Sequence, residues 1–148
     1  METIQLAQSV IHYDRSETRR AYERIGNSSP DKCTCDACQN WNACGIASLP
    51  TSFLELLDTL GINANYPAEV YHVFRIEPCL HVYAGWFHFV GFFNPPAGND
   101  PGSLVFDSCG VSFHDKVQLA SELFGTLALT QLEFQANAPW VRNTPEPN

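Results

Sequence analysis

Apolar residues recur along this chain with more than one period. Ile4 to Tyr13 carries Ile, Leu, Val, Ile and Tyr and predicts a first strand. From Asp14 the period becomes helical, with Thr18, Ala21, Tyr22 and Ile25 on one stripe. Asp14 and Glu17 stand at capping-box spacing, so each side chain can bond an amide that the helix start leaves unpaired. Gly26 supplies a stop. A second helix is predicted from Pro50, with Ser52 and Glu55 at the same capping spacing and Phe53, Leu56, Leu57 and Leu60 on its buried side. Gly61-Ile62 resembles a Schellman end, in which Ile62 packs back on Leu57.

The second half is strand-rich. Val70 to Ile76 is β-branched and aromatic. Leu80 to Phe93 is apolar on both alternating faces, as in a strand covered on both sides. Within it, Gly85 is a place for a hairpin to divide the run, and Gly91 suggests a bulge or a close backbone approach. Asn94 to Gly102, with three prolines and two glycines, reads as an exposed loop. Short strands are expected at Leu104 to Asp107 and Val111 to His114, and a short helix from Val117 to Phe124. Leu127 to Phe134 alternates as a last strand, with Leu132 and Phe134 inward and Glu133 outward. Pro139-Trp-Val141 packs the end of a single domain spanning 1–141, and 142–148 is expected to be a flexible tail. The expected class is α+β, with an antiparallel or mixed sheet whose long central strand, around 80–93, packs against two or three helices. A doubly wound fold is excluded, because the run from Val70 to Phe93 leaves no room for intervening helices.

Charge narrows the function classes. At 148 residues the chain has a formal net charge of −8. That balance argues against a nucleic-acid surface and suits a basic protein partner. Arg15, Arg19, Arg20 and Arg24 are half of the eight Lys and Arg residues. They read as a solvated helix face, or as a local partner or anion contact. No basic stretch followed by an apolar run marks a secretory leader, and no apolar run approaches a membrane span. A cytoplasmic location is therefore expected, where six cysteines are free thiols or metal ligands rather than disulfides. Oligomeric state is not readable from these features.

The chemistry gathers between Asp31 and Trp41. Cys33, Cys35 and Cys38 lie in one short segment and Cys44 follows closely. Such sulfurs can converge on a soft tetrahedral ion, so the cofactor to expect is a structural zinc. Cys44 is the fourth ligand nearest in sequence. Cys79, His81, Cys109 and the other histidines are alternatives that only the fold could deliver. Cys35-Asp-Ala-Cys38 also has the spacing of a redox pair, but the strand-to-helix order of thioredoxin-like folds is absent. The neighbouring Asp31 and Asp36 would raise a thiol pKa. Cys109 with His88 or His114 and Asp107 can be drawn as a nucleophile, base and orienter, though nothing local singles them out. Trp86, Phe87, Phe89, Phe92 and Phe93 fit a pocket lining or a core equally well.

The order of several segments resembles a group of small bacterial proteins of unknown function. It runs through Glu-Thr-Arg-Arg-Ala-Tyr at 17–22, Cys33-x-Cys35-x-x-Cys38-x-Asn40, Leu60-Gly-Ile62 and Glu69-Val-Tyr71. It continues with Gly85-Trp-Phe-His-Phe-Val-Gly91, Gln131-Leu-Glu-Phe134 and Pro139-Trp-Val141. The resemblance implies a bacterial single-domain protein and transfers no catalytic residue. Size and charge together favour a protein-interaction role of the toxin-neutralising (immunity) type. The alternative is a thiol- or metal-dependent enzyme using the same cysteines.

Overall fold

A computed structural model describes residues 1–26, 29–94 and 104–148. It is one α+β domain, in which a seven-stranded antiparallel sheet packs with four helices. The strands are β1 (Glu2–Leu6), β2 (Ser9–Tyr13), β3 (Glu69–Glu77), β4 (Leu80–Asn94), β5 (Leu104–Phe106), β6 (Cys109–His114) and β7 (Leu129–Pro139). The helices are α1 (Arg15–Arg24), the single turn α2 (Ser29–Lys32), α3 (Asp36–Ser48) and α4 (Thr51–Leu60). The sheet runs β1-β2-β4-β7-β6-β5, and β3 pairs the N-terminal half of β4 on the side where β2 pairs its C-terminal end.

β4 is the long central strand, and it is buried on both faces as its composition requires. Tyr83, Phe87 and Phe89 alternate with Val82, His88 and Val90, and all six are buried. Gly85 does not divide it. A Cβ there would lie 2.3 Å from the Glu69 carbonyl, so glycine lets β3 approach. Gly91, at φ +154°, does the same for β2, since its Cβ would stand 2.0 Å from the His12 carbonyl.

The helix ends follow their signals in part. Asp14 caps α1 by accepting from the Glu17 amide at 2.9 Å, and Thr18, Ala21 and Tyr22 are buried. The α4 terminus is the expected Schellman turn, with Gly61 at φ 85° and the Ile62 amide on the Leu57 carbonyl at 2.9 Å. At its start the expectation fails. Pro50 is the N-cap, no side chain caps the helix, and the Ser52 hydroxyl reaches Asp107 instead.

Other expectations need correction. The first strand is a hairpin, β1 with β2, turning at Ala7 and Gln8; Ala7 takes φ 54° without the glycine that would have announced the turn. The Val117–Phe124 segment holds only a 3-10 turn at Glu122–Phe124. It instead covers β4, where Gln118 accepts from the Trp86 indole at 2.9 Å and Phe124 meets the His88 ring edge-on. The expected Asn94–Gly102 loop falls, apart from Asn94, outside the described residues. β7 places Leu132 and Phe134 in the core, with Glu133 half-buried, and continues to Pro139.

Candidate metal centre

The cysteine segment is helical from Asp36 onward. α3 begins inside it, with Cys35 as N-cap accepting from the Cys38 amide at 3.4 Å. Its sequence hides the helix: polar residues interrupt the apolar stripe, and Gly45 sits in the interior. That glycine is a packing device, because a Cβ there would lie 2.3 Å from the Trp41 indole. Trp41 in turn packs on Tyr83 and Phe134, with ring centroids 5.2 and 5.8 Å apart, which seats α3 on the sheet.

Asn40 completes the anchor. It is wholly buried, its Nδ2 donates to the Tyr83 hydroxyl (3.2 Å) and the Pro139 carbonyl (2.9 Å), and its Oδ1 accepts from the Val141 amide (2.8 Å). The Tyr83 hydroxyl then donates to the Ala37 carbonyl at 3.0 Å, within the first turn of α3. The start of α3 is thereby held to β4 and β7 from both sides.

On that platform the sulfurs of Cys33, Cys35 and Cys38 lie within 4.8 Å of one another, and together they could hold a metal ion. A tetrahedral zinc with bonds of about 2.3 Å sets its sulfurs about 3.8 Å apart, so the cluster needs little adjustment. The Cys33 and Cys35 sulfurs are 3.2 Å apart, which is van der Waals and hydrogen-bond distance and not a bond. Cys33 is held below the ordinary thiol range, first by the Cys35 backbone amide and then by the Cys35 and Cys38 side chains. Burial and its two sulfur neighbours push the Cys38 thiol up. A divalent ion would reverse that, because the cation stabilises each thiolate more than burial disfavours it. The amino end of α3 also favours negative charge at these positions.

Cys44 is outside the group. One turn and a half further along α3, its sulfur donates to the Asn40 and Pro139 carbonyls at 3.2 and 3.4 Å, and burial raises its thiol pKa. Cys79 is exposed, and Cys109 is buried with its thiol pushed up to about 12. No bond joins Cys109 to His88 or His114. His88 is on Gln131 at 3.0 Å, and His114 is on Ser112 and Glu133. The aromatic residues of β4 are divided: Phe87 and Phe89 are core, Trp86 is half-buried, and Phe92 is exposed against His12.

Beside the sulfurs lies a cleft of about 540 Å³, lined by Cys33, Cys35, Cys38, Glu69, Tyr71, His72 and Tyr83 among others. His72 begins a chain of hydrogen bonds. Its Nε2 is 2.8 Å from His81 Nδ1, and His81 Nε2 is 2.8 Å from Glu146 Oε1. Glu146 also accepts from the Cys79 amide at 2.7 Å, and the His81 bond above all holds its carboxyl below the usual carboxylate range. Within the segment expected as a flexible tail, Arg142 pairs with Asp36 at 3.3 Å and Thr144 accepts from the Trp140 indole. Asn40, His72, His81 and Glu146 carry no spacing that sequence reading could have used. The strand pairing and the path of the chain end bring them together.

Three of the four arginines of α1 lie against carboxylates of this chain. Arg15 and Arg19 reach Asp58 at 3.4 and 3.8 Å, and Arg20 reaches Glu17 at 2.6 Å; Arg24 is exposed. Among the described residues no helix is long and apolar enough to cross a membrane. Comparison of the chain with models of protein families, with curated proteins and with solved structures found no match.

Proposed function

We propose that this is a small zinc-thiolate protein, in which Cys33, Cys35 and Cys38 bind the ion and pin the amino end of α3. The observation that carries the reading is the convergence of three sulfurs within 4.8 Å at the start of a helix, whose dipole favours negative charge there. A site absent from the unfolded chain converts binding energy into folding energy. Protein purified without added zinc or a metal-affinity resin should hold close to one equivalent of zinc. Chelation should lower its melting temperature, and Cys38→Ser should abolish both the metal and the effect of chelator. Less than about a tenth of an equivalent, with melting indifferent to chelator, refutes the reading.

A protein-interaction role, of the immunity type, is supported by a separate feature. β3 pairs only with β4 among the described strands and exposes Tyr71, Val73, Phe74 and Ile76, large apolar residues on an acidic protein. Such a patch on a sheet edge is where a basic partner with an apolar centre would dock. Val73→Asp with Ile76→Asp should leave the fold intact and abolish capture of a partner, whereas unchanged capture counts against this role. The enzyme alternative requires a metal position open to the cleft, and it is decided by the identity of the fourth ligand.

A further inference from the structure

We infer that His72 is the fourth ligand, making the centre a Cys₃His site whose histidine is oriented by His81 and Glu146. The inference rests on the zinc reading above. Its starting point is the hydrogen-bond chain, whose polarity for two neutral imidazoles follows from donor and acceptor counting. The Glu146 carboxylate only accepts, so His81 Nε2 carries the proton it donates at 2.8 Å. With both rings neutral, His81 has its lone pair on Nδ1, and His72 donates from Nε2 across the 2.8 Å contact. The remaining nitrogen of His72, Nδ1, is therefore the one with a free lone pair. Among the described residues His81 is the only hydrogen-bond partner of the His72 ring.

A neutral imidazole with one N–H committed to an oriented acceptor and the other nitrogen bare is the form in which histidine binds zinc. Zinc-bound histidines characteristically pass their second N–H to a carboxylate or carbonyl. Here the carboxylate is reached through a second imidazole that is itself wholly buried and so held in place. Against Tyr83 the His72 ring lies edge-on, with centroids 5.5 Å apart, and that tyrosine is the one tied to Ala37 beside the sulfurs. His72 and the three cysteines line one cleft, though His72 is not within the 4.8 Å group. Ligation therefore draws the cysteine segment and β3 together across the cleft. Glu69 also lines the cleft, but its Oε1 already accepts from the Val70 amide at 3.1 Å. Between a committed carboxylate and an imidazole with a bare nitrogen, the imidazole is the better partner for a zinc carrying three thiolates.

The test uses the full chain stripped of metal and titrated with cobalt(II), then with zinc in competition, together with X-ray absorption at the zinc edge. The expected parent spectrum has thiolate-to-cobalt charge transfer with tetrahedral d–d bands, and three sulfurs plus one imidazole around zinc. His72→Ala should lose the imidazole scattering and weaken zinc binding by more than the roughly 10–100-fold that loss of an outer partner costs. Glu146→Ala should weaken it by about that 10–100-fold while keeping the imidazole signal, and Glu146→Gln, which still offers an acceptor, should restore most of the loss. Circular dichroism and melting in chelator identify any variant that fails to fold. In that event the parent's own absorption spectrum still decides whether an imidazole is bound. A parent that binds neither metal removes the zinc reading itself. Three sulfurs bound without imidazole, with His72→Ala unchanged in affinity, overturns His72 as ligand while leaving the thiolate site standing. A loss that appears in Glu69→Gln and not in His72→Ala overturns it too, in favour of the carboxylate.

Discussion

Replacing Asn40 by Ala should loosen the platform under the cysteine cluster without touching a sulfur. The wild-type amide makes three hydrogen bonds, to the Tyr83 hydroxyl, the Pro139 carbonyl and the Val141 amide, at 3.2, 2.9 and 2.8 Å. Alanine removes all three partners at once. A buried polar group left without a partner costs about 1–3 kcal/mol. The summed cost stays near the middle of that range for one group. Tyr83 keeps its bond to Ala37, and Pro139 and Val141 are exposed enough for water to replace the amide. The expected loss is about 2 kcal/mol. For a chain of this size that lowers the melting temperature by about 4–8 °C. Urea and thermal unfolding should be run in chelator, so that zinc does not contribute. Asn42→Ala on the exposed side of α3, which loses a single bond to the Pro30 carbonyl, serves as control and should shift stability by less than about 0.5 kcal/mol. An Asn40→Ala protein melting within about 1 °C of the parent would refute the argument that this amide ties α3 to β4 and β7.

Two further outcomes follow from burial. Phe89→Ala, at a side chain with no exposed surface and an edge-on contact with Phe113, should cost about 3–5 kcal/mol through the cavity it leaves, and an unchanged urea midpoint would contradict that placement. His88 and His72 both have pKa values lowered by burial, so the folded state favours their neutral forms. Folded-state depression means that the unfolded chain binds more protons. Their stabilisation is therefore present above the unfolded value near pH 6.5 and is lost as pH falls from there through the folded values. Unfolding of the metal-free protein between about pH 7 and 5 should show this decline, and His88→Gln should flatten it; an identical profile would assign the decline to other groups.

The local signals that could be read in the chain are those whose physics is local. Asp14 caps α1 because its carboxylate and the Glu17 amide are three residues apart, and Gly61 ends α4 because a left-handed residue there needs no side chain. Both-face burial of β4 was legible in its unbroken apolar run, and the α+β class followed from the order of helices and strands. Of the four cysteines expected as ligands, three were legible as a cluster for the same reason: five residues of chain cannot carry Cys33, Cys35 and Cys38 far apart. Cys44 shows where that reasoning stops. Closeness in sequence placed it with the others, but once α3 starts at Asp36 the helix carries Cys44 away toward Pro139. The helix itself was hidden, because its stability comes from Trp41 on Gly45 and Asn40 on three distant groups rather than from an amphipathic stripe. That His72, His81 and Glu146 meet was beyond reach for a related reason. Nine residues separate the two histidines and sixty-five separate His81 from the carboxylate, and neither interval corresponds to a helix or strand period. They meet because β3 pairs with β4 and because the chain end passes back over that hairpin. Periodicity records which residues share a face of one element, whereas a site assembled from several elements depends on how those faces dock.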